Sequence, residues 1–302
     1  MKDFIVARSW RTFGKQQIVA LAEICKLISF HRSYMNKAEI HLNINNPNLE
    51  MQEIARKIVP ANIDLFFYTN EDLEDYVKSR NIEPNLENYK IWEWIYHIIL
   101  YHKLYTERNV DYLLTYDDDI LFNATEYREI VHFVTNKIPF TIADQYNDAD
   151  KPMMGKLIEK FGNELFENYY RCNGNGHSGN SGFMGFNNST MKLFESTKDF
   201  EWLLNAFTYK KWDHQTMQGV PWDGYKILLQ EQSLLSILNR AYSNKQHILL
   251  FERDGYILTQ DIEKMKRSKV MHFISTTKYG EFYLSLIEDK YNILKTISTY
   301  YL

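Results

Sequence analysis

The chain is poor in cysteine, in long apolar runs and in excess charge of either sign. Only two cysteines occur among its 302 residues, so we expect no disulfide framework and a reducing, cytoplasmic location. No run of about 18 apolar residues is present, and the N-terminus lacks a basic region followed by a long apolar one, which predicts neither a membrane span nor a signal peptide. A formal net charge of -4 gives no bulk argument for binding nucleic acid.

Several catalytic signatures are also missing. Gly14-Lys15 is similar to the end of a phosphate-binding loop, but the first glycine of that loop is absent and Gln16 replaces its Ser or Thr. His97 and His102 do not have the i, i+4 spacing that aligns zinc ligands on a helix. No G-x-S-x-G motif or Cys/His signature indicates a hydrolase.

Hydrophobic periodicity alternates between the two regular types along the first half of the chain. It predicts strands at 4–7, 38–44, 63–68, 110–116, 138–143 and 183–187, and helices at 15–30, 49–58, 86–107, 126–136, 155–168, 226–242 and 281–302. This order predicts an α/β fold with a central, mostly parallel sheet and helices on both faces. Ligands of such sheets bind at the carboxyl ends of the strands.

Three consecutive acids, Asp117, Asp118 and Asp119, follow the strand predicted at 110–116. Adjacent carboxylates repel one another, so burying them together is costly without a cation. Side chains alternate along an extended chain, which places Asp117 and Asp119 on the same side. Two hard oxygen donors at this spacing suit Mg²⁺ or Mn²⁺ carrying a diphosphate. A solvated acidic turn is the simpler reading, and the apolar residues at 120–122 make it less fitting.

Three separate segments occur in a suggestive order: Tyr116-Asp117-Asp118-Asp119, then Gly179 to Asn187, then Val270-Met271-His272-Phe273. Together they resemble nucleotide-sugar glycosyltransferases of the GT-A type, which carry a D-x-D after a central strand, an N-[SA]-G strand and, in many families, a late His-Phe. The resemblance implies one GT-A-like, Rossmann-like domain over 1–302, with a smaller mixed sheet in its C-terminal half. It further implies a nucleotide-binding half at about 1–122, an acceptor and sugar half at about 123–275, and a C-terminal helix at about 281–302.

The same resemblance implies a metal centre made by Asp117, Asp119 and His272. The expected ion is Mn²⁺ or Mg²⁺, and a set that combines imidazole with carboxylates suits Mn²⁺. For His272 the alternative is a hydrogen-bonded histidine of the core.

Donor-binding positions follow from the resemblance as well. They are Ala7, Arg8, Trp10, Arg11, Thr69, Asn70, Lys90, Asp117, Asp118, Asn180, Ser181 and Gly182. Simple turn chemistry is the alternative for Thr69 and Asn70, and a solvated helix lysine is the alternative for Lys90. A hairpin loop is the alternative for the glycine-rich run before the strand at 183–187.

Three acids are candidates for a catalytic base. Asp144 follows a predicted strand, Asp223 lies in a polar segment, and Glu231 begins a predicted helix. An inverting enzyme needs such a carboxylate to accept the proton of the acceptor hydroxyl, whereas a retaining enzyme need not place one there. For Glu231 the alternative is an acid that stabilises a helix N-terminus, and the stereochemistry therefore stays undetermined.

The sequence thus predicts a metal-dependent hexosyl- or pentosyltransferase. It would move a sugar from a UDP- or GDP-sugar donor to a hydroxyl of a glycan or another acceptor. Two alternatives are a nucleotidyltransferase or nucleotide-sugar phosphatase that uses the same acids, and a non-catalytic carbohydrate-binding protein on the same fold.

Overall fold

The computed structural model describes most of the chain. The described residues are 4–10, 12–30, 38–44, 48–82, 95–122, 127–143, 157–164, 167, 179–206, 230–243, 246–250, 256–258, 263–264, 267–273 and 280–300.

A seven-stranded sheet forms the centre of the described part, in the order β3-β2-β1-β4-β7-β6-β8. Its strands are β1 (Phe4–Trp10), β2 (Ala38–Ile44), β3 (Asp64–Tyr68), β4 (Tyr112–Tyr116), β6 (Phe140–Ala143), β7 (Gly179–Asn187) and β8 (Ile248–Leu250). β7 runs antiparallel to both of its neighbours, and the other paired strands are parallel. The carboxyl ends of β1, β2, β3 and β4 therefore meet along one edge of the sheet.

A smaller sheet of three strands contains β5 (Ile120–Phe122), β9 (Tyr256–Leu258) and β10 (Val270–His272). β10 lies in the middle, antiparallel to β5 and parallel to β9. Because β5 begins directly after the three acids, the small sheet extends from the carboxyl end of β4. This position brings the late segment around His272 to the same edge as the acids.

Helices cover both faces of the large sheet, and each face has its own apolar core. One core includes residues of α1 (Lys15–Phe30), α2 (Leu49–Ile58), α5 (Tyr127–Thr135) and α9 (Glu281–Tyr300). The other includes residues of α3 (Asn70–Ser79), α4 (Ile95–Arg108), the short α6 (Asn188–Met191), α7 (Thr197–Ala206) and α8 (Gln230–Tyr242). The α/β architecture predicted from periodicity, with a mostly parallel sheet between two helical layers, is confirmed.

Local chemistry accounts for several of the helix ends. The side chain of Asn48 accepts a hydrogen bond of 3.2 Å from the amide of Met51 and so caps α2. Thr69 and Asp72 form a reciprocal capping box at the start of α3. The periodicity did not predict α3 or α7, and it placed the start of β7 at residue 183 instead of Gly179.

Among the described residues, no helix combines the length and the apolar composition needed to cross a bilayer.

Candidate metal centre

The three acids form a tight turn between the two sheets. β4 ends at Tyr116, and the amide of Asp117 donates a hydrogen bond of 2.8 Å to the carbonyl of Gly182 on β7. The hydroxyl of Tyr116 spans the turn and donates to the carbonyl of Ile120 at 2.5 Å. The turn is therefore anchored at both ends, which restricts the directions in which its carboxylates point.

Asp117, Asp119 and His272 form one cluster at this turn. One ligand atom from each residue lies within 4.8 Å of the other two. Nε2 of His272 lies 3.1 Å from Oδ1 of Asp119. Asp119 is 8% exposed and His272 3% exposed, whereas the side chain of Asp117 is 26% exposed. The cluster is thus open to solvent on the side of Asp117.

Strand pairing brings His272 to the acids. Within the small sheet, His272 on β10 pairs with Ile120 on β5, the residue after Asp119. The amide of Phe273 donates a hydrogen bond of 2.9 Å to the carbonyl of Asp119, which continues the ladder by one step. The position of the imidazole is therefore set by the register of the two strands and not by the conformation of a loop.

Asp118 points away from this cluster. Its Oδ2 accepts a hydrogen bond from the side-chain amide of Gln17 on α1, and its carbonyl accepts one of 3.1 Å from the hydroxyl of Tyr283 on α9. Burial, together with the carboxylates of Asp119 and Asp118, raises the pKa of Tyr283, which keeps this hydroxyl a donor. Asp118 thus ties the turn to two helices.

Gly182 on β7 lies directly against the cluster. A Cβ built on this residue would stand 2.6 Å from Cε1 of His272, 2.8 Å from Oδ2 of Asp117 and 2.9 Å from Oδ1 of Asn180. The amide of Gly182 also donates a hydrogen bond to that same Asn180 oxygen, at 2.8 Å. Only a residue without a side chain leaves this space open. Glycine is used in this way wherever a backbone must approach other groups closely.

The donor set fits a divalent cation. Two carboxylates and an imidazole are ligands that Mn²⁺, Mg²⁺ and related ions accept, with the nitrogen favouring a transition metal. Ligands on opposite sides of one Mg²⁺ are about 4.2 Å apart, and the 4.8 Å limit of the cluster is of the same order. The three side chains are therefore near enough to one another to be ligands of a single ion. The space that Gly182 keeps clear lies against both His272 and Asp117.

Arg8, at the carboxyl end of β1, contacts the first acid of the turn. Its Nε lies 2.7 Å from Oδ1 of Asp117. Its Nη1 donates to the carbonyl of Ser181 at 3.1 Å and to the hydroxyl of Tyr101 at 3.4 Å. Thr115 also donates to the carbonyl of Ser181, at 3.3 Å. Side chains from β1 and β4 therefore converge on the backbone of β7 beside the cluster.

The structure places the other predicted donor residues of β1 and β3 as follows. Ala7 is buried in the sheet and pairs with Thr115. Trp10 is 3% exposed and stacks on Phe13, with ring centroids 6.1 Å apart. Thr69 is the N-cap of α3, and Asn70 is the first residue of that helix. Both lie at the carboxyl edge of the sheet.

Asn180 and Ser181 lie on β7 and are buried beside Gly182. Four predicted residues, Arg11, Lys90, Asp144 and Asp223, lie outside the described residues. Glu231 belongs to the first turn of α8, and its side chain is not among those described.

Two residues of the site were not predicted from the sequence. Gln17 is buried on the apolar face of α1, four residues before Leu21 and seven before Ile24, and a polar residue at such a position is a signal that could have indicated a buried partner. Tyr283 offered no such signal, because tyrosine is common on the apolar face of a helix. Its contact with Asp118 depends on the docking of α9 against α1.

No protein-family model and no curated protein sequence matches the chain. Solved structures do match it. Core-mannan synthase A (CmsA/Ktr4) from Aspergillus fumigatus, in its Mn/GDP form, aligns with 84% of this chain and 73% of its own chain, at 11% identity and a TM-score of 0.50. Mouse xyloside xylosyltransferase 1, in its apo form, aligns with 91% of this chain and 98% of its own, at 11% identity and a TM-score of 0.49.

The WbbM bifunctional glycosyltransferase aligns with 90% of this chain at 14% identity and a TM-score of 0.47. This chain covers 45% of WbbM and so spans less than half the length of that protein. The fold of the chain is the GT-A-type fold of glycosyltransferases, as the order of the three sequence motifs implied.

Proposed function

We propose that this protein is a metal-dependent glycosyltransferase that moves a sugar from a nucleotide-diphosphate-sugar to a hydroxyl of a glycan or another acceptor. The observation that carries the proposal is the cluster of Asp117, Asp119 and His272, whose ligand atoms lie within 4.8 Å of one another at the carboxyl edge of the sheet. The likeness to the fold of core-mannan synthase A, whose structure is that of an Mn/GDP form, supports the same interpretation.

A divalent cation, Mn²⁺ or Mg²⁺, bound at this cluster would offset the charge that develops on the leaving nucleotide diphosphate. The chain itself supplies the three ligands and keeps them in place. Asp119 and His272 are held by the pairing of β5 with β10, and Asp117 by Arg8 and by the backbone of Gly182. Because Asp117 is partly exposed, one side of the cluster is open to solvent, and a diphosphate would approach from that side.

The proposed donor is a UDP- or GDP-sugar carrying a hexose or pentose. It would lie along the carboxyl edge of the sheet, where β1, β3, β4 and β7 end or begin. The proposed donor-binding residues are those predicted from the sequence: Ala7, Arg8, Trp10, Arg11, Thr69, Asn70, Lys90, Asp117, Asp118, Asn180, Ser181 and Gly182. In this arrangement residues 1–122 hold the nucleotide, and residues 123–275 the sugar and acceptor.

The catalytic base, where one is needed, is proposed among Asp144, Asp223 and Glu231. The placement of α8 supports the inclusion of Glu231. Ser236 of α8 touches Gly179 at the start of β7, and Asn239 donates to the carbonyl of Gly185 further along that strand. α8 therefore runs along β7 in the same direction, so its first turn is directed towards the edge that carries the metal ligands.

The test is a panel of nucleotide-sugars, each measured with and without Mn²⁺ or Mg²⁺. A true donor raises the melting temperature by mass action, and the proposal expects this rise to require the metal. Slow release of nucleoside diphosphate from the same donor should accompany it. In a separate reaction with a nucleoside triphosphate and a sugar 1-phosphate, metal-dependent release of pyrophosphate would favour the nucleotidyltransferase alternative. Cleavage of a nucleotide-sugar to nucleoside monophosphate and sugar phosphate would favour the nucleotide-sugar phosphatase. Binding of glycans without any response to nucleotides or metals would favour a carbohydrate-binding protein.

A further inference from the structure

Arg8 is a buried cation held beside the metal centre. Its side chain is 4% exposed, and its guanidinium contacts the carboxylate of Asp117, the carbonyl of Ser181 and the hydroxyl of Tyr101. Removing one partner of a buried ion pair leaves an uncompensated charge, so such contacts hold the cation in place. The acidic turn, β7 and α4 each supply one of these contacts, and the guanidinium has little freedom to turn towards another ligand.

The two oxygens of Asp117 face different groups. Oδ1 lies 2.7 Å from Nε of Arg8. Oδ2 lies 2.8 Å from the point that a Cβ on Gly182 would occupy, and Cε1 of His272 lies 2.6 Å from that same point. Oδ2 is therefore the oxygen on the side of His272. While Arg8 stays in place, Asp117 can offer a metal one oxygen, and a bidentate contact is blocked.

The charge of Arg8 leads to the same consequence. Its guanidinium offsets part of the negative charge of the acidic turn, in a site where Arg8, Asp119 and His272 are largely withdrawn from water. The attraction between the turn and a divalent cation is therefore weaker than it would be without Arg8, because solvent screening is weak there. The negative charges of a diphosphate add an attraction for the cation that Arg8 does not offset at Asp117.

We propose that Arg8 makes metal binding at this site depend on the diphosphate. It takes one oxygen of Asp117 and offsets one negative charge, so the protein alone holds the metal weakly and the metal with a nucleoside diphosphate tightly. With respect to the metal, Arg8 acts through Asp117 and is a positioning residue rather than a ligand. This inference rests on the proposed function, because it takes the cluster to be the metal site.

The experiment measures binding of MnCl₂ by calorimetry and by the Mn²⁺ paramagnetic resonance signal, with and without GDP or UDP. The wild-type protein should bind Mn²⁺ weakly alone and more tightly with one of the two nucleotides. Arg8→Met should bind Mn²⁺ alone about tenfold more tightly. Mn²⁺ binding in the presence of the nucleotide should change much less, because the diphosphate supplies its own negative charge, so the enhancement by the nucleotide should shrink by up to about tenfold. Arg8→Lys retains the charge and should stay within about threefold of the wild type for Mn²⁺ alone.

Arg8→Gln is a second neutral variant whose amide can still donate to Asp117, and it serves if Arg8→Met fails to fold in a thermal melt. Unchanged or weaker binding of Mn²⁺ alone in the neutral variants overturns the inference, because Arg8 would then orient Asp117 without limiting the metal. In that case the wild type still shows the nucleotide-dependent binding of Mn²⁺, and the proposed function stands. If the wild type binds no Mn²⁺ with either nucleotide and Asp119→Asn changes nothing, the proposed function itself fails.

Discussion

Nε2 of His272 lies 3.1 Å from Oδ1 of Asp119, and the pairing of β10 with β5 holds the two residues at this distance. The acids belong to the first half of the chain and the histidine to its last part. The small sheet therefore completes a site that the large sheet begins. Any change that disturbs this pairing should affect the metal centre before it affects the large sheet.

Asp119→Asn should remove metal binding while keeping the fold. The amide retains the shape of the carboxylate but loses its charge, and a ligand change of this kind should weaken Mn²⁺ binding on the order of 100-fold or more. Without metal, the melting temperature should stay close to that of the wild type, because the change removes repulsion from Asp117. Calorimetric titration with MnCl₂, combined with a thermal melt, measures both quantities.

Asp111→Asn is the matched control for this prediction. Asp111 lies just before β4, at the opposite end from the metal centre, and forms an exposed ion pair of 2.8 Å with Lys137. Exposed pairs contribute about 0–1 kcal/mol, so Mn²⁺ binding should not change. Equal loss of Mn²⁺ binding in the two variants would contradict the assignment of Asp119 as a ligand.

Gly182→Ala should displace a metal ligand. The added Cβ would stand 2.6 Å from Cε1 of His272 and 2.8 Å from Oδ2 of Asp117, and atoms at such distances must move apart. Overpacking of this kind costs about 1–3 kcal/mol of stability. Because the displaced atoms belong to two proposed ligands, we expect Mn²⁺ affinity to fall by about tenfold or more. Titration with Mn²⁺ and chemical denaturation measure the two effects separately.

Gly14→Ala offers the comparison. The nearest atom to a Cβ at Gly14 is Oε1 of Gln17, at 3.7 Å, which is an ordinary van der Waals contact. The substitution should therefore be tolerated with little change in stability or in Mn²⁺ affinity. A Gly182→Ala protein that binds Mn²⁺ as tightly as Gly14→Ala would show that the space beside Gly182 is not needed for the metal.

The sequence predicted the elements in which local pattern and tertiary environment agree. The apolar positions of β1, β2 and α1 recur with the right period, and the structure contains these elements close to the predicted bounds. The capping box of Thr69 and Asp72 was a readable signal for α3 that the interpretation as a turn passed over. The start of β7 was missed for a different reason. Gly179 has little strand propensity, yet glycine is needed there because Ser236 and Thr141 crowd the position.

The contacts that complete the site could not be predicted from local pattern. Arg8 meets Asp117, and Gln17 and Tyr283 meet Asp118, through the packing of elements that are distant in the chain. A sequence motif indicates which residue types a metal site needs, and the acids and His272 were predicted as ligands in that way. It does not indicate which neighbouring side chains hold those residues, because that depends on how the helices dock on the sheet.

Tyr283→Phe should weaken the link between α9 and the acidic turn. The hydroxyl donates to the carbonyl of Asp118 at 3.1 Å, and a buried hydrogen bond of this kind contributes about 1 kcal/mol. We expect a loss of that size in the free energy of unfolding, and a fall of a few-fold in Mn²⁺ affinity as the turn gains freedom. Denaturant unfolding and Mn²⁺ titration are the measurements. Tyr291→Phe on the same helix is the control. Among the residues that the structure describes, the one partner of this hydroxyl is the sulfur of Met51, at 4.0 Å. An equal loss in both variants would contradict a specific role for Tyr283.

His102 should make the protein sensitive to mild acid. Burial and then the positive charge of Arg80 lower the pKa of this imidazole from 6.5 to about 3, and its ring stacks on Phe200 with centroids 3.6 Å apart. Because the pKa in the folded state is the lower one, only the unfolded chain takes up this proton between these two values. The free energy of unfolding therefore falls as the pH falls from about 6.5 towards about 3, by up to about 1.4 kcal/mol per pH unit.

The variant His102→Gln removes the titrating group and retains a side chain that can hydrogen-bond to the hydroxyl of Tyr76, which now lies 2.7 Å from Nδ1 of His102. It will be less stable than the wild type at pH 7, since the stacking on Phe200 is lost. The informative quantity is the change in the free energy of unfolding between pH 7 and pH 5, measured by denaturant titration. That change should be smaller in the variant by about 2 kcal/mol. An identical change in both proteins would mean that His102 takes up its proton while the chain is still folded, and that the buried contacts with Tyr76 and Phe200 do not exclude the charged imidazole.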